Sequence, residues 1–145
     1  MVPTMFGRIQ TRLFLLAFVG GVVTAVITPM LPVDVPMAQR YQATFVVLAA
    51  VGVIGIAWEF VYHLVMQWRW EKDWPTLFGL LTLVPEGVVV WALANRDLLP
   101  GLPGPVPTAA FAIHFAVVWF VVWLVGNGPM RVPFVHWRFR GGRLV

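Results

Sequence analysis

Four apolar runs, each long enough to cross a bilayer as a helix, occupy most of the 145-residue chain. They extend over Leu13–Leu31, Ala43–Met66, Pro75–Ala94 and Thr108–Val125. A helix needs about 17–25 residues to cross the hydrocarbon core of a bilayer. Charged residues make up only 11% of the chain, against about 25% in soluble domains. The sequence therefore predicts an all-α, polytopic integral membrane protein, a bundle of four transmembrane helices that forms a single domain over residues 1–145.

Basic residues are distributed unevenly over the segments outside these runs. Eight of the ten Lys and Arg residues fall in the N-terminal tail, the second loop and the C-terminal tail. The eight are Arg8, Arg12, Arg69, Lys72, Arg131, Arg138, Arg140 and Arg143, and the other two are Arg40 and Arg96. By the positive-inside rule this pattern predicts that both termini are cytoplasmic. The preference for Arg over Lys indicates a GC-rich bacterial genome, so we expect the inner (cytoplasmic) membrane.

Two carboxylates lie well inside the apolar runs, Glu59 in the second and Glu86 in the third. A charge at the centre of a bilayer costs about 3 kcal/mol on insertion scales, so we expect these residues to have a use. Each run also carries its small and polar residues three or four positions apart, which places them on one face of a helix. They are Ala17, Gly21, Thr24 and Thr28; Gly52, Gly55, Glu59 and His63; Gly79, Thr82 and Glu86; and Ala110 and His114. We expect these faces to point into the bundle.

The depth of these residues follows from the rise of a helix. Counted from the cytoplasmic ends, Thr24, Glu86 and His114 lie at roughly 16 Å. Glu59 lies at about 12 Å and His63 at about 6 Å. This predicts a cluster of Glu86 and His114, with Thr24 beside it, that Glu59 and His63 extend toward the cytoplasm. Because neither carboxylate has an Arg or Lys at its depth, we expect both to be protonated, paired with His, or bound to a group outside the chain.

Several chemical interpretations of this stripe remain open. Glu and His side chains that step from the midplane to one surface are typical of proton paths. Glu59 and His63, four residues apart, aim two metal ligands at one point, and Glu86 and His114 would complete a set of four. The Glu-x-x-His pairs of di-iron bundles have a different spacing. Binding of a small ligand or a lipid is a further interpretation. We favour structural hydrogen bonding or docking to a partner, and expect no metal and no cofactor.

Pro85 comes immediately before Glu86. A proline inside a helix removes one backbone hydrogen bond and kinks the helix, so we expect a kink with a carbonyl released near Leu81. Membrane proteins build binding sites at mid-depth from such broken helices. A plain packing kink is the simpler alternative.

Aromatic and basic residues are concentrated in the second loop and the C-terminal tail, residues 126–145. The loop tryptophans Trp68, Trp70 and Trp74 are typical of an interfacial belt, and Tyr41 and Tyr62 are assigned to the interface as well. The tail residues Arg131, Trp137, Arg138, Arg140 and Arg143 are expected to contact anionic lipids of the cytoplasmic leaflet or a protein partner. No nucleic-acid-binding module accompanies them, so nucleic acid is not an expected partner.

The function that best fits these features is that of a non-enzymatic accessory or assembly subunit of a larger bacterial inner-membrane complex, of the respiratory or lipid-transport type. It would dock to other integral membrane subunits through its helix faces, including the Glu59 and Glu86 face, and through its basic tail. The alternative is a small proton- or cation-coupled carrier that uses the buried Glu and His residues. An enzymatic role would require a metal.

Overall fold

The computed structural model describes residues 4–68 and 76–144, apart from the Arg138 side chain. Within these ranges the chain is helical and contains no β-strand. Four helices are long and apolar enough to cross a membrane, and we call them the first to fourth spans: Met5–Met30, Met37–Gln67, Thr76–Ala94 and Thr108–Arg131. The predicted all-α architecture with four helices able to cross a membrane is therefore confirmed. The second-loop residues Arg69, Trp70, Lys72 and Trp74 lie outside the described ranges.

The first span begins at Met5 rather than at Leu13. Thr4 caps its N-terminus, because the Thr4 hydroxyl accepts a hydrogen bond from the Gly7 amide at 3.1 Å. The span then runs as α-helix to Leu15, as π-helix over Leu16–Gly20, as α-helix over Gly21–Ile27, and ends in the 3-10 turn Thr28–Met30. This early start brings the N-terminal arginines into the helix.

The π-helical turn changes which face of the first span is buried. A π turn contains more residues than an α turn, so residues four positions apart lie on the same face of the helix along this stretch. The buried residues of this stretch are Leu16, Gly20, Thr24 and Thr28. Ala17 is exposed, so its predicted place on the interior face is wrong.

The third span consists of two helical segments, Thr76–Leu81 and Leu83–Ala94, separated at Thr82. Pro85 lies in the first turn of the second segment, and its missing N–H removes the i to i−4 hydrogen bond to the Leu81 carbonyl. Side chains donate hydrogen bonds to other backbone carbonyls near the break. The Gly79 carbonyl accepts from the Thr82 hydroxyl at 3.0 Å and from the Trp119 indole at 3.2 Å. The Trp123 indole donates to the Thr76 carbonyl at 3.0 Å, so the fourth span holds the start of the third.

An apolar core fills the middle of the bundle between the spans. Its buried members are Leu16, Val47, Leu48, Val51, Val90, Phe111, Phe115 and Val118. Gly87 lets the Phe115 ring approach the third span, since a Cβ at Gly87 would lie 3.0 Å from Phe115 Cε1. This core separates the polar groups at one end of the bundle from those at the other.

The C-terminal segment, residues 132–144, packs on the first span of the same chain. The Thr4 amide donates to the Gly141 carbonyl at 2.8 Å, and the Thr11 hydroxyl donates to the Gly142 carbonyl at 2.9 Å. Gly141 and Gly142 have positive φ values of 63° and 83°, which favour glycine. Gly7 allows the close approach, because a Cβ there would clash with the Gly141 carbonyl oxygen. Both termini therefore lie at one end of the bundle, the termini end; the opposite end is the loop end.

Candidate functional site: a buried arginine–glutamate network

Two arginines of the first span pair with the two carboxylates of the second and third spans. Arg12 binds Glu86 in a bidentate manner, with Nη1 2.6 Å from Oε2 and Nη2 3.0 Å from Oε1. Arg12 Nε also donates to Glu59 Oε1 at 2.9 Å. The other Glu59 oxygen accepts from Arg8 Nε at 2.9 Å. One arginine thus bridges two carboxylates, and one carboxylate bridges two arginines.

Tyr62 completes this network, since its hydroxyl donates to Glu86 Oε1 at 2.7 Å. The side chain of Glu86 is only 2% exposed and that of Glu59 only 8%. Those of Arg8 and Arg12 are 12% and 14% exposed. We call Arg8, Arg12, Glu59, Tyr62 and Glu86 the charge network. Its two guanidiniums balance its two carboxylates, and every carboxylate oxygen accepts at least one hydrogen bond.

Small and aromatic residues shape the space that the Arg12 guanidinium occupies. A Cβ at Gly55 would lie 2.6 Å from Arg12 Nη1 and 2.9 Å from Arg12 Cδ, so only glycine leaves room for this side chain. Gly55 lies one helical turn before Glu59, which places the space beside its carboxylate partner. On the other side the Trp119 ring lies with its centroid 5.6 Å from Arg12 Cζ, within the range of a cation–π contact.

The expectation that neither carboxylate has a cation at its depth is therefore wrong. It placed Arg8 and Arg12 in a tail before a span that began at Leu13, whereas the helix includes both. Long arginine side chains then reach along the helix into the bundle. Arg8 and Arg12 are one helical turn apart in the sequence, and so are Gly55 and Glu59. These two equal spacings are the signal in the sequence that matches the observed pairing. Tyr62, assigned to the interface, is instead buried at 7% exposure.

A second polar cluster lies on the loop-end side of the apolar core. Thr24 Oγ1 and His114 Nε2 are 3.0 Å apart, and the hydroxyls of Thr28 and Thr44 are 2.9 Å apart. The Thr28 hydroxyl also lies 2.6 Å from the Thr24 carbonyl, to which it donates. We call these four residues the hydroxyl–histidine layer. They link the first, second and fourth spans without charge pairing.

The remaining predicted site residues fall in separate places. Glu86 and His114, expected to form one cluster, belong to different networks. His63 is half-buried and contacts Gln67 at 3.5 Å, away from the charge network. In the described part of the chain, no three or more His, Asp or Glu side chains are grouped so that they could hold a metal ion. Glu59, His63, Glu86 and His114 thus do not form the set of four ligands that their spacing allowed.

Two of the predicted tail residues, Trp137 and Arg131, have side-chain partners within the chain. The Trp137 indole donates to the Thr11 hydroxyl at 2.6 Å, and Arg131 Nη2 donates to Asn127 Oδ1 at 3.2 Å. Arg140 and Arg143 are exposed. The Arg138 side chain lies outside the described part. Trp137 therefore contacts the first span, while lipid or partner contact by the tail arginines stays a prediction.

Two cavities reach the polar clusters from opposite ends of the bundle. The larger, of about 570 Å³, lies at the termini end and is lined by residues that include Arg8, Arg12 and Glu59. The smaller, of about 380 Å³, lies at the loop end, and His114 and Thr44 are among its lining residues. No protein-family model, no curated protein and no solved structure matches this chain.

Proposed function

We propose that this chain is a non-enzymatic accessory or assembly subunit of a bacterial inner-membrane complex of the respiratory or lipid-transport type. The observation that carries the proposal is the saturation of the charge network. All four oxygens of Glu59 and Glu86 are bonded to Arg8, Arg12 or Tyr62 of the same chain. A carboxylate engaged in this way is a poor proton carrier or general base, because it would first have to release a bound guanidinium. The buried charges therefore hold the bundle together, and the outer surfaces are left for function.

This saturation changes how the subunit would dock. Glu59 and Glu86 were expected to seat against a partner helix, but both face Arg12 inside the chain. Docking is instead assigned to the outer helix faces and to the basic residues of the C-terminal segment. Exposed cations on a membrane protein attract anionic lipid or acidic protein surfaces. Arg140 and Arg143 are exposed and belong to this surface.

We also propose that both termini are cytoplasmic. The basic residues of the C-terminal tail support this orientation by the positive-inside rule. The contacts between Thr4 and Gly141 and between Gln10 and Leu144 place the two tails on the same side of the bundle. Reporter fusions to the C-terminus test the orientation: a fluorescent protein should fold and fluoresce, and a fused alkaline phosphatase should be inactive. The reverse pair of results would contradict it.

Affinity purification of the tagged chain from its native membrane in mild detergent tests the accessory role. We expect a second integral membrane protein to copurify in fixed stoichiometry. The variant Arg140→Gln/Arg143→Gln should lose it, whereas Arg40→Gln/Arg96→Gln, which removes the same charge at the loop end, should retain it. Recovery of the chain only as a monomer or as a closed homo-oligomer would contradict the proposal.

The two cavities favour one alternative, a small proton- or cation-coupled carrier. One cavity reaches the charge network and the other reaches His114, with the apolar core between them. Purified protein reconstituted into proteoliposomes would then support a proton or cation flux that Glu86→Gln abolishes. Tyr41→Phe, a surface substitution at the loop end, is the control. Under the accessory role, none of these three proteins produces a flux above that of empty vesicles.

A further inference from the structure

The cavity at the termini end has the shape of a small-molecule site. It is an open cavity lined by residues of all four spans and of the C-terminal segment. Its volume of about 570 Å³ falls in the range of about 300–1,000 Å³ that is typical of ligand pockets. The intact chain forms it without a partner, because Trp137 and the Gly141–Gly142 turn supply one wall.

Among the residues that the structure describes, the polar part of the cavity carries an excess of positive charge. Three arginines line it, Arg8, Arg12 and Arg131, and the described carboxylates in or directly behind its wall are Glu59 and Glu86. Glu59 and Glu86 are already paired with Arg8 and Arg12. The charge of Arg131 is therefore left without a carboxylate among the described residues. Such a surface attracts an anion.

Arg131 has hydrogen-bond donors to offer. Within the part of the chain that the structure describes, its guanidinium makes one hydrogen bond, from Nη2 to Asn127 Oδ1 at 3.2 Å, which leaves most of its five N–H groups for a ligand. A planar guanidinium binds phosphate oxygens in a bidentate manner, with better geometry than a lysine ammonium. The Thr11 hydroxyl and the Asn127 amide also line the cavity, but both are already hydrogen-bonded within the chain, so Arg131 is the donor left for a ligand.

The rest of the lining is apolar and aromatic. Leu15, Leu16 and Val122 line the cavity together with the rings of Trp119 and Trp123. The indole N–H groups of both tryptophans are occupied by the Gly79 and Thr76 carbonyls, so these rings offer the cavity only apolar surface. A free phosphate ion would leave this apolar surface uncovered. A phosphate attached to a glycerol and acyl chains would cover it.

We propose that this cavity binds the phosphate group of an anionic glycerophospholipid, with Arg131 as the main contact and the exposed edges of Arg8 and Arg12 behind it. The apolar part of the lipid would lie against the lining formed by Leu15, Leu16 and Val122. This inference does not depend on the accessory role, since the site is built from one chain alone.

Lipid binding to the purified full-length chain tests the proposal. Short-chain phosphatidylglycerol, short-chain phosphatidylcholine and inorganic phosphate are added separately, and binding is followed by native mass spectrometry and by the shift of thermal unfolding. We expect phosphatidylglycerol to bind about tenfold more tightly than phosphatidylcholine, which carries no net charge. If inorganic phosphate stabilised the protein as much as phosphatidylglycerol does, the ligand of the cavity would be a soluble phosphate compound. That result would overturn the lipid assignment.

Two variants separate this cavity from general attraction to a basic surface. Arg131→Gln should weaken phosphatidylglycerol binding about tenfold, because it removes a charged hydrogen-bond donor. Arg96→Gln removes the same charge from an exposed position at the loop end, away from the cavity, and should change binding by less than about twofold. Arg131→Lys, which keeps the charge but loses the planar fork, should fall between them. Equal losses in Arg131→Gln and Arg96→Gln, or equal binding of the two lipids, would overturn the proposal.

Discussion

The two ends of the bundle join their helices through different kinds of polar contact. At the termini end, ionised groups join three spans: Arg12 contacts Glu59 at 2.9 Å and Glu86 at 2.6 Å. At the loop end, neutral groups join three spans: Thr24 contacts His114 at 3.0 Å and Thr28 contacts Thr44 at 2.9 Å. The apolar core lies between the two clusters.

The difference predicts how each end responds to loss of one member. Removal of one partner of a buried ion pair strongly destabilises a protein, because the other charge stays buried without compensation. A hydroxyl hydrogen bond between membrane helices contributes far less, on average about 0.6 kcal/mol. The charge network should therefore tolerate substitution poorly, and the hydroxyl–histidine layer should tolerate it well.

The largest effect is expected for Arg12→Gln. This substitution leaves Glu86 buried without its bidentate partner, and should lower the free energy of unfolding by about 3–5 kcal/mol. Reversible unfolding in mixed detergent micelles, followed by far-ultraviolet circular dichroism, measures the change. Arg96→Gln, an exposed arginine at the loop end, is the control and should change it by less than about 0.5 kcal/mol. Equal effects of the two variants would remove the contrast between the ends.

A smaller loss is expected for Tyr62→Phe. The variant keeps the ring but removes the hydroxyl that donates to Glu86 Oε1, and hydrogen bonds to charged groups contribute about 1.5–3 kcal/mol. Tyr41→Phe is matched in chemistry, since the Tyr41 hydroxyl donates to the Ala25 carbonyl in an exposed position. The same unfolding measurement should give a clear loss for Tyr62→Phe and little for Tyr41→Phe. A Tyr62→Phe variant as stable as the parent would show that Glu86 does not need this donor.

Gly55→Ala tests the space around the Arg12 guanidinium. The added methyl group would lie 2.6 Å from Arg12 Nη1, so the guanidinium must move away from its carboxylates. Overpacking of this kind typically costs about 1–3 kcal/mol. Gly52→Ala, one turn earlier, is the matched control, because its Cβ would meet Leu13 Cδ2 at an ordinary 3.8 Å. The two variants should differ in unfolding free energy, and equal stability would contradict the placement of Arg12.

The smallest effect is expected at the loop end. Thr24→Val removes the hydroxyl that contacts His114 and keeps the volume, and should cost about 0.6 kcal/mol and no more than about 1.7 kcal/mol. Thr108→Val, a substitution of the same type at an exposed residue, provides the baseline. A loss for Thr24→Val as large as that for Arg12→Gln would show that both ends depend on their polar groups equally.

Much of the fold could be predicted from the sequence. The apolar runs indicated four spans, because length and composition alone decide whether a helix can cross a bilayer. The rise per residue placed Thr24 and His114 at one depth, and these two side chains are hydrogen-bonded. Glu59 and Glu86 were expected inside the bundle, and both are buried.

The pairing within the site was harder to predict for physical reasons. A hydropathy pattern starts a span at its first apolar residue, whereas the first helix starts at the cap formed by Thr4 and carries Arg8 and Arg12 into the bundle. The π turn shifts the buried face away from Ala17, and no composition signal marks it. The path of the C-terminal segment depends on glycine contacts between residues far apart in sequence, Gly7 with Gly141 and Gly142.

The central claim is that Arg12 and Glu86 are ion-paired partners inside one chain. A double-mutant cycle with Arg12→Gln, Glu86→Gln and the double variant measures their coupling free energy directly. We predict a coupling of about 2–3 kcal/mol, so that the double variant loses less stability than the two single variants added together, because neutral glutamines leave no buried charge unpaired. Effects that add to within about 0.5 kcal/mol would contradict the pairing and with it the account of the bundle.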